Sequence, residues 1–560
     1  METTLDKKNS QFNLLDSFIS NLVQDESSPG CVIGIVSQGE LIYSRGFGLA
    51  NLEHNIPITS ETVFRIASVS KQFTAACIVL LEEEGKLKLD DYITDYFSEF
   101  PDIFKKIKII HLLNHTSGLR DYLWLFNFAG YSSRALDLVD ENIFLDMMIH
   151  QKALNFEPGS KYMYSNSGYV ILSLLVKRIS GLTLREYADS NIFSLLQMNH
   201  THFVDDYRLV VKNRARAYTI DNDDNFIIFE TYSELVGDGA VFTTLNDMIK
   251  WAKNFTSNRL GKKSHSLNEK LLQPGILNNG TKINYALGLR ITNHKGLKQI
   301  YHSGMIAGFR SSFMIFPEEN LEIICFANVA TINPENVCNK IVDILLVDKI
   351  QSNFLEENTP AETISSNKTV LFLDEYIGTY RNIEKKQIYT FYVEDDQLVA
   401  ELYSVDPLVL YSKTIYGKVT DDLFKRLSGL LEANIEFIQN GTKQRDKLIV
   451  YEDNGEKITL ERIDIPDISV DQLEKYAGRY YSEELDTYYN IKTASDHLVI
   501  IIKRIEKIQL NYYYVGDNEF TCNQACIKFI EDAKGINRFE LSTLRIPNPI
   551  VFVKEHYFSQ

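Results

Sequence analysis

The sequence predicts an α+β (α/β) N-terminal domain followed by two small antiparallel β-barrels. Three observations predict it. Apolar residues recur at helical spacing after Ser68, at Phe73, Ala76, Cys77, Leu80 and Leu81 up to Gly85, while the apolar runs 311–316 and 321–328 are joined by Pro317-Glu318-Glu319-Asn320 as in a hairpin. From 351 to 369 the chain turns polar, with Glu-Glu-Asn-Thr-Pro and Ser-Ser-Asn-Lys stretches, as a linker does. Beyond it, Leu373-Asp374-Glu375-Tyr376-Ile377-Gly378-Thr379-Tyr380 recurs 100 positions later as Leu473-Glu474-Lys475-Tyr476-Ala477-Gly478-Arg479-Tyr480, and Leu398-Val399 matches Leu498-Val499.

The expected organisation is a first domain at 10–348, a linker at 349–369, and barrels at 370–465 and 470–560. A chain of 560 residues exceeds what one core normally serves. Both repeat copies carry short alternating segments, among them 388–393, 448–451, 498–502 and 550–553, with polar turns between, and Pro466 with its acidic neighbours separates them.

Within the first domain, three short motifs follow one another. The first is Ser68-Val69-Ser70-Lys71, where Ser68 opens a buried helix. A hydroxyl at the positive end of a helix lies where exposed N–H groups favour a developing oxyanion. Lys71 lies one turn on, facing the same side, and a partly desolvated lysine loses basicity, so its amine could relay the Ser68 proton. The motif alone decides nothing, because Ser365 and Lys368 repeat it and an isolated copy reads best as a helix cap with a solvated lysine.

The second motif is Tyr164-Ser165-Asn166, reached through the turn Phe156-Glu157-Pro158-Gly159. A phenol among lysines and helix dipoles can serve as general base and then as general acid to a leaving group, and Asn166 can hold a substrate carbonyl or the Lys71 ammonium. With 31 tyrosines in the chain and further Tyr-x-Asn triplets at Tyr380/Asn382 and Tyr488/Asn490, a packed tyrosine is the ordinary reading of any one of them.

The third motif, His302-Ser303-Gly304, opens the hairpin, and Gly304 and Gly308 allow close backbone approach to a ligand. A peptide-like substrate would lie edge-on to this strand, with the N–H of Met305 joining that of Ser68 as oxyanion donor. A lone histidine such as His302 is usually structural.

As an ordered set these residues resemble the serine β-lactamase and penicillin-binding-protein superfamily, in its class C branch with DD-peptidases, D-aminopeptidases and related esterases. The resemblance extends to Gly85-Lys86-Leu87-Lys88-Leu89-Asp90-Asp91, His115-Thr116-Ser117-Gly118-Leu119, Phe156-Glu157-Pro158-Gly159, and Gly237-Asp238-Gly239-Ala240 followed by Thr243-Thr244, over roughly residues 15–345. It implies an antiparallel sheet flanked by helices plus an all-helical region. It also implies Ser68 as nucleophile, Lys71 and Tyr164 as the proton-transfer pair, and Asn166, His302, Ser303, Gly304 and Met305 as substrate-binding residues. The paired C-terminal barrels, lipocalin-like in single-barrel relatives, resemble the D-aminopeptidases in architecture.

One departure narrows the substrate. β-Lactamases of this branch usually begin the third motif with lysine, whereas His302 is mostly neutral near pH 7, so a DD-peptidase, D-aminopeptidase or esterase is expected over a β-lactamase. Arg310 is a candidate cationic anchor, although a solvated strand charge is the simpler reading of it. The expected reaction is acyl transfer through a covalent intermediate on a small amide, peptide or ester. The alternatives are a penicillin-binding protein or weak β-lactamase and, in another class, a non-catalytic binding or scaffold protein using the barrels.

The remaining features bound the partners. The net charge of −17, without a basic tract interleaved with aromatics, argues against nucleic acid. Residues 1–30 are polar and acidic, and no run reaches the roughly 18 apolar residues of a membrane span, so a cytoplasmic protein is expected, a signal-independent secretion route leaving no trace in such a sequence. A cell-wall transpeptidase role loses weight accordingly. The six cysteines are scattered, and Cys522 and Cys526 have no second pair to complete a zinc site. No metal or organic cofactor is expected; a small-molecule, short-peptide or ester substrate is, and a homo-oligomer is compatible with the pattern.

Overall fold

In the computed structural model the described residues are all those outside 1–3, 21–25, 132–138, 222–224, 258–259, 262–265, 351–372, 383–386, 395–396, 403–411, 419–422, 427–433, 440–444, 452–456, 503–508, 523–524, 544 and 556–560. Most of the polar stretch read as a linker lies outside the described residues. The chain forms two compact units, one of residues 1–118, 138–143 and 156–360, the other of residues 119–137, 144–155 and 361–560.

The first unit is built on a six-stranded antiparallel sheet in the order Arg290–His294, Leu297–Ile306, Phe309–Phe316, Leu321–Ala327, Cys31–Ser37, Glu40–Phe47. The central strands are buried on both faces, so they read as near-continuous apolar runs. On one face Ile33, Ile35, Ile323 and Cys325 pack with Leu15 and Ile19 of helix Thr4–Ser20 and with Val337 and Ile341 of helix Pro334–Leu345. On the other face Gly34 leaves room for Leu245 of helix Leu245–Ser257, since a Cβ there would lie 2.6 Å from the leucine. Helices Lys71–Glu83 and Asn166–Ser180 are buried over residues 71–81 and 167–176 and contribute to the core of the helical region.

The second unit holds two closed antiparallel barrels of eight strands each. The first runs from Gly378–Asn382 to Lys457–Ile463 and closes by pairing Tyr380 with Arg462; the second runs from Gly478–Ser482 to Ile546–Lys554 and closes by pairing Tyr480 with Lys554. Aromatic side chains fill both interiors, Tyr376, Tyr380, Phe391, Phe424 and Phe437 in one and Tyr476, Tyr480, Phe520, Phe529 and Phe539 in the other. The repeat has a structural counterpart. Tyr380 donates to the Tyr376 carbonyl and Tyr480 to that of Tyr476, Gly378 and Gly478 take φ of 150° and 148°, and a cation covers each tyrosine, Arg462 in the first barrel and Lys554 in the second.

In the same unit, Arg120 is buried against Glu484, and its guanidinium also donates to Gln151 and to the carbonyls of Asn548 and Pro549. Tyr489 donates to the Phe128 carbonyl, Asn155 to that of Arg545 and Asn548 to that of Leu154. Residues 119–131 and 144–155 are thus seated on the second barrel.

Among the described residues no single helix is long and apolar enough to cross a membrane, and no group of three or more His, Cys, Asp or Glu could hold a metal ion. All six cysteines are free thiols.

Candidate active site

The chain reaches Ser68 along the short strand Phe64–Arg65, kinks at Ala67 with φ 46°, and makes the 3-10 turn Ala67–Ser70 before helix Lys71–Glu83 begins. Ser68 therefore sits in a tight turn ahead of the helix, one step earlier than the periodicity places it, because the left-handed residue before it breaks the helical path. Such a conformation costs energy and persists only where its surroundings hold it. Here the Ser311 hydroxyl donates to the Ile66 carbonyl, and the Val241 N–H donates to Ser70 Oγ. Ser68 is half-buried and its neighbours Val69, Ser70 and Lys71 are buried.

Lys71 is 0% exposed. Its Nζ donates to Ser68 Oγ at 3.1 Å, to Asn166 Oδ1 at 2.9 Å and to the Asp238 carbonyl at 2.6 Å, and it lies 4.9 Å from the Tyr164 ring and 5.5 Å from that of Tyr169. An ammonium carries three donors, and three oxygens meet it here. Of the two roles open to Asn166, holding the lysine is the one the geometry displays.

Tyr164 ends the loop before helix Asn166–Ser180. The loop is fixed by the turn that carries His115-Thr116-Ser117-Gly118. Gly159 N–H donates to the Thr116 carbonyl, Met163 N–H to that of His115, and Ser165 N–H to His115 Nδ1, and the His115 ring lies 4.1 Å from that of Tyr164. Gly118, at φ 74°, would put a Cβ 2.2 Å from the Phe156 carbonyl, which accounts for glycine there.

The third motif passes the Ser68 turn at backbone contact: a Cβ on Gly304 would lie 2.3 Å from the Ile66 carbonyl. Strand Leu297–Ile306 pairs with Arg290–His294 only as far as Tyr301, and its other edge pairs with Phe309–Phe316 from Ile300 to Ile306, setting Ser303 opposite Ser312 and Met305 opposite Arg310. Beyond Tyr301 the outer edge meets no further strand among the described residues, the geometry in which an extended ligand adds as a strand. The Met305 side chain is 48% exposed.

His302 is buried. Its Nδ1 lies 2.6 Å from the Ser303 carbonyl and its Nε2 3.0 Å from the Tyr285 hydroxyl, which fixes the Nδ1–H tautomer with Tyr285 donating. Burial, with Lys71 and Arg290 nearby, pulls its pKa down to about 3, so the ring is neutral at pH 7. Its ring centre is 6.2 Å from that of Tyr164.

Arg310 departs from the expectation of a solvated strand charge. It is buried and donates to the carbonyls of Ala307 and Phe309, and burial lowers its pKa to about 10. It pins the turn after the third motif, where Ala307 has φ 48°.

The structure thus joins Ser68, Lys71 and Asn166 by hydrogen bonds, sets Tyr164 and His302 beside them, and brings Gly304 against the Ser68 turn. Sequence reasoning missed the Asp238 carbonyl and the rings of His115, Tyr169 and Tyr285 as parts of the site. Three of them had a signal, since Asp238 and His115 fall inside motifs singled out for other reasons and Tyr169 lies three residues past Asn166; Tyr285 had none.

A family model described as Beta-lactamase matches residues 15–346. Penicillin-binding protein 4* of Bacillus subtilis (strain 168) is 29% identical over 309 residues, 52% of this chain and 66% of that protein. D-aminopeptidase of Brucella anthropi is 30% identical over 320 residues, 56% of this chain and 59% of that protein. The chain therefore spans less than two-thirds of the length of these curated relatives. Among solved structures, the octameric penicillin-binding protein homologue from Pyrococcus abyssi aligns with a TM-score of 0.55 at 22% identity, over 80% of this chain and 99% of that one. A penicillin-binding protein from Bacillus halodurans aligns with 0.50 at 25%, over 60% and 98%.

Proposed function

The chain belongs to the β-lactamase family, and from that premise we propose that it is a serine hydrolase acting through a covalent acyl-enzyme on a small amide, peptide or ester, of D-aminopeptidase, DD-peptidase or esterase type. The observation that carries this reading is the buried Lys71, bonded at once to the Ser68 hydroxyl and to Asn166.

In the proposed reaction the substrate lies along the open edge after Tyr301, its carbonyl oxygen between the N–H groups of Ser68 and Met305. Donors in such a site typically contribute about 3–4 kcal/mol each to the transition state. Ser68 Oγ attacks the carbonyl carbon, its proton passing to Lys71 and Tyr164, and Tyr164 delivers a proton to the departing nitrogen or oxygen. Water then enters against the same pair and releases the acid. Asn166 and the Asp238 carbonyl keep Lys71 aimed at Ser68 through both halves. The neutral His302 gives this site no fixed positive charge at the start of the third motif, which favours peptidase or esterase chemistry over β-lactam hydrolysis.

Intact-mass measurement of wild type and Ser68→Ala after exposure to a fluorophosphonate and, separately, to a penicillin tests the proposal. A fluorophosphonate adduct on wild type alone is expected. A persistent penicillin adduct would assign the penicillin-binding type. Wild type unlabelled by either reagent would overturn the hydrolase reading and move the function to a binding or scaffold role of the barrels.

A further inference from the structure

A small open cleft lies beside the end of strand Leu297–Ile306, lined among others by Arg65, Arg214, Glu230, Phe242, Ile306 and Ala307. Three facts define its chemistry. Arg65 lies three residues before Ser68, and Ile306 directly follows Met305, so the cleft adjoins both groups assigned to the oxyanion. The guanidinium carbons of Arg65 and Arg214 stand 5.9 and 5.6 Å from the centre of one ring, that of Phe242, so two cations gather around a single aromatic side chain. Glu230 supplies the only carboxylate among the lining residues and is shared, bonded to Arg214 at 3.1 Å and to Arg216 at 3.3 Å. The cleft is cationic on a chain of net charge −17.

The side of the substrate that enters it follows from Tyr164. That phenol, assigned to the leaving group, lies beside His302, at the other end of the motif from Ile306. With the carbonyl held at Met305 and the leaving group toward His302, the acyl substituent runs the opposite way along the strand, past Ile306 and Ala307 into the cleft. Arg310 holds the Ala307 carbonyl and so fixes the cleft's edge. Arg65 is oriented by the Gly239 carbonyl and the Thr231 hydroxyl, to which its guanidinium donates.

We propose that this cleft is the acyl-side subsite and that Arg65 and Arg214 select substrates bearing a carboxylate on the acyl group. The assignment rests on the acyl-transfer reading above for the direction of the substrate, and its test separates the two.

Two esters of equal chain length, 4-nitrophenyl hydrogen glutarate and 4-nitrophenyl pentanoate, differ in the terminal carboxylate. Wild type is expected to favour the anionic ester in kcat/KM by about tenfold or more, and the ratio is expected to fall toward one in Arg65→Gln and in Arg214→Gln. Arg214, only half-buried, keeps the test valid if Arg65→Gln fails to fold. In parallel, glutarate is expected to raise the melting temperature of Ser68→Ala, and to lose that effect in Ser68→Ala/Arg214→Gln. Hydrolysis of both esters without anionic preference would overturn the subsite and leave acyl transfer standing. Hydrolysis of neither would remove the acyl-transfer reading, and the glutarate shift then decides for or against the carboxylate site by itself.

Discussion

Arg120 and Glu484 form a buried ion pair across 364 positions of sequence, at 2.5 Å and with side chains 1% and 7% exposed. Burial lowers the Arg120 pKa and the Glu484 charge opposes that shift. Lys152 N–H also donates to Glu484, so the carboxylate serves two segments of the unit. Removing one partner of such a pair leaves an uncompensated charge and costs roughly 3–5 kcal/mol, whereas apolar replacement of both is often close to neutral. Glu484→Gln is therefore expected to lower the denaturation midpoint of the C-terminal unit, and Arg120→Met/Glu484→Leu to recover most of the loss. A double-mutant cycle by denaturant titration checks this, and additive single losses would contradict it.

For the Ser68–Lys71–Asn166 chain of bonds, Ser68→Ala and Lys71→Met are each expected to lower kcat by roughly 10³-fold or more, with little further loss in the double variant because the two act as a unit. Asn166→Leu, which removes one acceptor of Lys71 and leaves the Asp238 carbonyl in place, is expected to lose less. Turnover of a 4-nitrophenyl ester, with circular dichroism to verify folding, is the measurement.

Gly304→Ala puts a methyl 2.3 Å from the Ile66 carbonyl, where backbone has to move. Overpacking of this kind costs about 1–3 kcal/mol, and the shift falls on the Ser68 turn itself. Activity is expected to fall further than the stability loss explains. Gly304→Ala with wild-type kcat would show that the strand does not set the position of Ser68.

Glu322 lies buried in the central strand opposite Val36 and Ile315, and burial raises its pKa to about 7 against the opposing charge of Lys253. The folded state thus holds a proton that the unfolded chain releases near the ordinary carboxylate pKa. Stability from this group is present in full at low pH and declines as pH rises to about 7, by up to roughly 3 kcal/mol. Glu322→Gln is expected to flatten that decline and melt higher than wild type at pH 8. A melting curve series from pH 5 to 8 on both proteins reads the difference.

The sequence foretold most where chemistry and local periodicity coincide. Ser68, Lys71, Tyr164 and Asn166 stand out because residue type and spacing carry their meaning, and the barrels because a repeat and alternating apolar residues do. Arg310 was misread because strand alternation says nothing of a side chain that folds back onto its own turn. The seating of Arg120 on the second barrel left no local trace, since its partner's place depends on the whole chain path. The Asp238 carbonyl is likewise silent, because a backbone acceptor has no residue type.

The unit that contains the second barrel also takes in residues 119–137 and 144–155, and this orders events during synthesis. At about 5–20 residues per second, the 364 positions between Arg120 and Glu484 take roughly 20–70 seconds to translate. Through that interval the guanidinium destined for burial has no counter-ion from the barrel. The β-lactamase-family region of the nascent chain can gather its sheet early, yet these two segments can settle only when the strands of the second barrel have left the ribosome. Completion of this unit is thereby timed by the arrival of Glu484 and the second barrel rather than by the synthesis of Arg120.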